Sequence, residues 1–192
     1  NHEIPLLCLQ ILSSLTNMRL RTFEHSSDSL IRQLIVLLNS SSDPQLAQDC
    51  LRLLSNLMSR YANVSPSNTQ YRMVLRSAFG NIEDESSTSV CHSVLRAILS
   101  RRPLLSEIYT GMDRICCLVA SGTSEHSRRM CAQIFLQFLL DYPLGARRLQ
   151  HYLEQLIANL KYECPAGRAS VLNTLHAVIL KFPKSVLRET AE

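Results

Sequence analysis

FLLDYP at residues 138–143 and VILKFP at residues 178–183 are two apolar runs, each closing on an aromatic–proline pair, and their prolines stand forty residues apart. Another forty residues back, the run ILSRRP ends on Pro103. A fixed period of this length decides the architecture before any single motif can. The residues ahead of each proline extend the register: Cys91, Val94, Leu95, Ile98, Leu99; Cys131, Ile134, Phe135, Phe138, Leu139; and Val171, Leu175, Val178, Ile179. Each set follows the i, i+3, i+4, i+7, i+8 spacing of one buried helical face. The same template fits Cys50, Leu53, Leu54, Leu57, Met58 and, at the start, Cys8, Ile11, Leu12, Leu15. The leading positions 8, 50, 91, 131 and 171 are 42, 41, 40 and 40 apart.

A second apolar helix fits between successive members of this series. Its residues are Leu30, Ile31, Leu34, Ile35 and Leu38; then Tyr71, Val74, Leu75 and Phe79; then Ile108, Met112, Ile115 and Val119; then Leu149, Leu153, Leu156 and Leu160. Each repeat is therefore expected to be a helical hairpin, and hairpins of this length bury their apolar faces only by stacking, as HEAT and armadillo units do. The spacing leaves no room for the third short helix of an armadillo unit. The expected fold is all-α: a HEAT-like α-solenoid of antiparallel hairpins with a period of about 40 residues, at roughly 1–22, 28–62, 68–102, 104–142 and 146–183. The pattern is already running at both ends, so 1–192 is expected to be a single solenoid segment of a longer chain.

Local chemistry punctuates the helices. Proline lacks an amide hydrogen and disfavours the α conformation in the residue before it, so Arg102, Tyr142 and Phe182 should end helices. Asp43 before Pro44 reads as an N-cap with proline in the first turn, and Ser124 as a second cap. Gly122, Gly145 and Gly167 are expected in turns, where positive φ costs glycine little. Polar runs at Ser26–Ser29 and Ser40–Ser42 read as loops, and NIEDESSTS at 81–89 marks 80–89 as the expected mobile loop.

Composition narrows the function classes. With 192 residues and 46% hydrophobic content the chain can bury a substantial core. No apolar run approaches the roughly 18–20 residues that a membrane span requires. Seven cysteines, an odd number with no C-x-x-C pair, fit neither a disulfide framework nor a zinc ribbon. Cys8, Cys50, Cys91 and Cys131 share the core register, where a small thiol packs well, and a reducing compartment is expected. His151 and Glu154 are three apart on a helix, but zinc needs more ligands than that pair supplies. His92, His126 and His176 fall outside the register and read as turn or surface residues. Five glycines form no phosphate loop or nucleophile elbow. The expectation is a protein without catalysis, metal, cofactor or small-molecule substrate.

Charge is distributed unevenly. The first 96 residues carry eight Lys or Arg against eight Asp or Glu, whereas the last 96 carry twelve against eight, and seventeen of the twenty cations are arginine. Arginine grips phosphate and carboxylate through a planar fork. The doublets Arg101-Arg102, Arg128-Arg129 and Arg147-Arg148 all lie near expected helix ends. Arg60, Arg101, Asp141 and Lys181 occupy one equivalent position in four successive repeats, expected to form a row along one edge. Arg60, Arg101, Arg102, Arg128, Arg129, Arg147, Arg148 and Lys181 are thus the candidate contacts to RNA or an acidic partner. Their alternative role is to complement helix C-terminal dipoles.

Phe138-Leu139-Leu140-Asp141-Tyr142-Pro143-Leu144-Gly145, then Leu160 with Tyr162-Glu163, then Gly167-Arg168 with Ser170 and Leu172, and finally Phe182-Pro183 form a more specific combination. On these residues the segment Ser124 to Pro183 resembles the DRIM (down-regulated in metastasis) family, very large helical-repeat proteins of the small-subunit processome. The resemblance covers a third of the chain. It implies a nucleolar, non-catalytic scaffold in ribosome biogenesis and small-subunit ribosomal RNA processing, with pre-ribosomal RNA and processome proteins as partners inside a large ribonucleoprotein assembly. The motif residues themselves read as structural: Tyr142, Pro143 and Gly145 a helix break, Leu160 and Leu172 core, Arg168 a donor to the preceding turn. The alternative is a protein-only HEAT scaffold such as a nuclear transport receptor, a class that is commonly acidic, unlike the basic second half of this chain.

Overall fold

The computed structural model describes residues 3–18, 21–62, 64–184 and 186. Among the described residues the chain is all-helical, without a strand. The helices are α1 (Glu3–Asn17), α2 (Arg21–Ser40), α3 (Pro44–Arg60), α4 (Asn68–Gly80), α5 (Thr88–Arg101), α6 (Ser106–Ser121), α7 (Glu125–Asp141), α8 (Ala146–Ala158) and α9 (Pro165–Lys181). A 3-10 turn over Asn159–Lys161 follows α8. The chain divides into two compact units, Asn1–Leu105 and Ser106–Glu192.

Several boundaries follow from the punctuating residues. The Asp43 carboxylate accepts from the Gln45 amide at 2.9 Å, with Pro44 opening α3. Ser124 accepts from the Ser127 amide at the start of α7. Ser67 and Gln70 form a reciprocal capping box on α4 that the sequence reading did not single out. Pro103, Pro143 and Pro183 each stand two residues beyond the last residue of α5, α7 and α9. Tyr142 and Phe182 precede their prolines in extended backbone, as steric repulsion from proline demands. Arg102 departs from that rule, lying in the left-handed region at φ 53°.

In the first unit α3 packs against α1, α2 and α5, and α4 packs against α2 and α5. Cys50, Leu53, Leu54 and Leu57 of α3 and Cys91, Val94, Leu95 and Ile98 of α5 are all buried, and the two helices pack against each other. Three expectations need correction here. Ser26–Ser29 lies inside α2 rather than in a loop, because serine costs a helix only a few tenths of a kcal/mol and the amphipathic run behind it outweighs that. In α1, Leu9 and Thr16 are buried while Cys8 and Ile11 are exposed, so the inward face is turned by one residue from the template. His92 is buried on α5, not at the surface.

The segment 80–89 is partly helical: Gly80 ends α4, and Thr88 and Ser89 begin α5. Between them Ile82 is buried, and the Asp84 carboxylate accepts from the Ser86 amide and from the Ser86 and Ser87 hydroxyls at 2.8–3.0 Å. Those bonds, Ser86's first, hold the Asp84 carboxyl below the usual carboxylate range. Gln48 of α3 donates to the Ser86 and Ser87 hydroxyls and ties this connection to the neighbouring hairpin.

In the second unit α6 packs against α7, α8 and α9, and α9 also touches α7 and α8. Phe135, Phe138, Tyr142, Tyr109 and Tyr152 form an aromatic core, with Phe138 and Tyr152 edge-to-face at 5.0 Å. Gly167 is not a turn residue but the third residue of α9, and no glycine has positive φ. A Cβ there would lie 2.4 Å from the Ala120 carbonyl oxygen and 2.7 Å from the Tyr162 ring, so its role is close approach between α9 and the end of α6. Leu172 and Ile179, expected in the core, are more than half exposed; α9 is apolar around much of its circumference, so periodicity alone could not choose its inner face.

All seven cysteines are free thiols, with Cys50, Cys91, Cys116 and Cys131 buried. The sequon at Asn63 lies outside the described residues.

Candidate functional site

The eight candidate cations divide by what their side chains touch. Arg101 turns toward the end of α3. Its Nε and Nη2 donate to the Met58 carbonyl at 3.1 and 2.6 Å, Nη2 also donates to the Tyr61 carbonyl at 2.6 Å, and Nη1 donates to the Val64 carbonyl. The guanidinium therefore caps the last turn of a helix 37–43 residues earlier in the chain. It also faces Tyr71, whose hydroxyl is pushed up chiefly by burial, against the lowering pull of Arg101. Arg60 repeats the arrangement more loosely, with Nη1 donating to the Asn17 carbonyl at the end of α1 at 3.3 Å. Arg101 is thus a structural cap, and its exchange cannot leave stability untouched as an exposed row of charges would.

The others behave differently. Arg128 donates to the Gly122 carbonyl at 2.8 Å, closing the turn between α6 and α7. Arg148 lies over the Tyr109 ring at 3.8 Å, a cation–π contact. Arg147 and Arg148 occupy the first turn of α8, where a cation opposes the helix dipole, so dipole complementation does not account for them. Arg102, Arg129, Arg147 and Lys181 are exposed. Outside the candidate set, Arg168 donates to the Tyr162 and Glu163 carbonyls at 2.9 and 2.8 Å, as its sequence context suggested.

Two other polar ties link residues 43 apart in the second unit. Tyr152 donates to the Tyr109 carbonyl at 3.1 Å, and Asn159 donates to the Cys116 carbonyl at 2.8 Å. Burial first, then the Asp113 charge, push the Tyr152 hydroxyl far up. His151 stands 4.0 Å from Asp113 and is largely exposed, while Glu154 accepts from Gln150. Among the described residues no group of three His, Cys, Asp or Glu is placed to hold a metal ion, and no helix is long and apolar enough to cross a membrane.

The two units each carry an open groove between consecutive core helices. In the first, α3 and α5 flank a groove of about 620 Å³ lined by Arg60, Arg96 and Arg101 with Met58, His92, serine, asparagine and alanine between them, and by no carboxylate. In the second, α7 and α9 flank a groove of about 480 Å³ that is mostly apolar, floored by Ala132, Ala166, Ala169 and Ala177 with Arg128, Arg129 and Glu125 beside them. The sequence reading missed Arg96. The signal available for it was the polar series His92, Arg96, Ser100, which repeats every four residues along α5.

No family model matches the chain. It is similar to U3 small nucleolar RNA-associated protein 20 of Schizosaccharomyces pombe, 27% identical over 191 residues, which is 98% of this chain and 8% of that protein. It is also similar to the protein of the same name from Saccharomyces cerevisiae, 24% identical over 153 residues, 80% of this chain and 6% of the relative. The chain spans less than a tenth of the length of either relative.

Proposed function

We propose that this chain is a HEAT-like stretch of a non-catalytic scaffold in small-subunit ribosome biogenesis, acting in the nucleolus through contacts to pre-ribosomal RNA and processome proteins. The observation that carries the reading is the similarity to two proteins named for association with a small nucleolar RNA, one match spanning 98% of the chain. Two further features support it. The side-chain hydrogen bonds that cross between hairpins connect residues 37–43 apart, as stacked repeats of about 40 residues would. The charged groove of the first unit is cationic, which suits a polyanionic partner better than an acidic transport receptor's surface would.

The test is ultraviolet crosslinking of the intact tagged protein in cells, followed by sequencing of the recovered RNA. Enrichment of small nucleolar RNA and of small-subunit precursor is the expected result. Recovery of proteins alone, with RNA at the level of an untagged control, would overturn the reading in favour of a protein-only scaffold.

A further inference from the structure

We propose that the groove between α7 and α9 seats an amphipathic α-helix supplied by another protein, with its aliphatic side chains along the alanine floor and its acidic end against Arg129. The inference takes up the protein-partner half of the reading above and is independent of the RNA half.

Shape is the first ground. On α7, Arg129, Gln133, Leu136 and Leu140 follow the i, i+4, i+7, i+11 spacing of one helical face. On α9, Ala169, Asn173, Ala177 and Leu180 form a matching face. Each face runs for eleven residues, about 16 Å at 1.5 Å per residue, which is three turns of a docked helix. The groove's volume of about 480 Å³ holds several aliphatic side chains, and its alanines leave room for a helix to approach closely.

The two leucines are the second ground. Leu140 and Leu180 continue these faces about one turn beyond the groove's lining and are 37% and 71% exposed. Pairing of the helices does not demand them. Forty residues earlier, α5 carries Ser93, Arg96 and Ser100 at the positions of Gln133, Leu136 and Leu140, and all three are exposed. The positions correspond because α5 and α7 both stop two residues before their prolines. A leucine left in water adds little to folding, whereas its burial against a partner favours association.

Charge orients the occupant. The start of α9 lies against the end of α6, just ahead of α7, since a Cβ on Gly167 would come within 2.4 Å of the Ala120 carbonyl oxygen. The N-termini of α7 and α9, the positive ends of their dipoles, therefore share one end of the groove. Arg128 and Arg129 outnumber Glu125 there. Arg128 is committed to the Gly122 carbonyl, which leaves exposed Arg129 as the cation set to meet a carboxylate. A helix lying antiparallel to α7 and α9 brings the negative end of its own dipole to this cationic end. Its apolar anchors then reach Leu136, Leu140 and Leu180, as in other helix-in-groove contacts.

The same features disfavour other occupants. Contacts to nucleic acid go largely to phosphate and sugar, which gain nothing from a floor of alanine and leucine. A further hairpin stacked by the repeat rule would meet the other side of α9, where Leu172 and Ile179 are exposed.

The experiment replaces Gln133, exposed in the groove, with photoreactive benzoylphenylalanine in the intact tagged protein, irradiates cells and sequences the crosslinked peptide by mass spectrometry. The expected peptide comes from another protein, spaces its aliphatic residues at i, i+3 or i+4 and i+7, and carries Asp or Glu toward its C-terminal end. Its synthetic form should bind this chain in fluorescence anisotropy. The double exchange Leu140→Ser with Leu180→Ser installs the residue found at the α5 position and should weaken binding by about fivefold or more. Arg129→Glu should act in the same direction by less, and Leu172→Ser, on the other side of α9, should leave binding unchanged. Melting followed by circular dichroism checks that each variant keeps the fold. A crosslink to RNA, to this protein's own sequence or to no peptide above the unirradiated control would overturn the proposal. So would a recovered peptide without that spacing, or binding that Leu172→Ser weakens as much as the double exchange does. None of these results touches the RNA reading, which the ultraviolet crosslinking experiment tests separately.

Discussion

Exchange of Arg101 tests whether the guanidinium holds the first unit together. In Arg101→Met the side chain keeps its length and loses its donors, leaving the carbonyls of Met58, Tyr61 and Val64, three buried residues, without this partner. A hydrogen bond to a charged group contributes about 1.5–3 kcal/mol, and a buried acceptor left unmade costs about 1–3 kcal/mol. These contributions do not add, because one side chain makes them all and is itself half-exposed, so water can reach part of the site. The expected loss is about 2–4 kcal/mol. With a urea slope of roughly 2 kcal/mol/M, that moves the unfolding midpoint down by about 1–2 M. Arg101→Lys keeps the charge but loses the planar fork, and should retain about half of the stability. Urea unfolding followed by circular dichroism measures the shift, and hydrogen exchange of the peptide containing Met58 to Val64 localises it. Unfolding free energies for both variants within about 0.5 kcal/mol of wild type would refute the capping role, since that is the range of an ordinary surface exchange.

Gly167→Ala should destabilise the second unit by about 1–2 kcal/mol, because overpacking against the Ala120 carbonyl and the Tyr162 ring outweighs the gain of up to about 1 kcal/mol from helix propensity. Gly80→Ala, in a helix end with open space around it, should be neutral or mildly stabilising; matching effects of the two exchanges in thermal melts would refute the close-approach account. Cysteine labelling at neutral pH should mark exposed Cys164 first, because the Gly167 amide, and after it the Ala166 amide, hold its thiol below the usual range. Cys50, Cys91 and Cys116, pushed by burial up to about 11, 12 and 12, should label only on unfolding. Their folded values lie above the unfolded value of 9.0, so the unfolded chain releases these protons first. Their contribution is complete below pH 9 and is lost as pH rises toward about 11–12; a flat urea midpoint from pH 9 to 11 would contradict this.

What could be read in advance was local. Asp43, Ser124 and the three prolines act on their own neighbours, and Arg168 bonds carbonyls five and six residues away, so sequence distance carried the information. The register of Cys50, Cys91 and Cys131 was equally visible, because helical periodicity marks the face that must leave water. Periodicity does not say which of two apolar faces has a neighbour, and that is where α1 and α9 were misread. Arg101 was legible as a cation near a helix end, but its partners are backbone carbonyls of a distant turn, and every residue type supplies those. Gly167 was visible as a glycine while its reason lay in a carbonyl of another helix.

The ties made by Gln48, Arg60, Arg101, Tyr152 and Asn159 all close loops of similar length, 37–43 residues. Loop closure grows costlier by only about 0.6 kcal/mol for each doubling of length, yet that increment recurs for every pairing that reaches farther along a chain. Here it does not recur. Each closure is fixed by the distance to the neighbouring hairpin, so its search time and entropy are set locally and would be the same in a chain many times longer. Folding rates that fall with mean sequence separation should accordingly be insensitive to how much sequence flanks these helices, and a nascent chain could lock Arg101 onto the α3 terminus as soon as α5 has emerged.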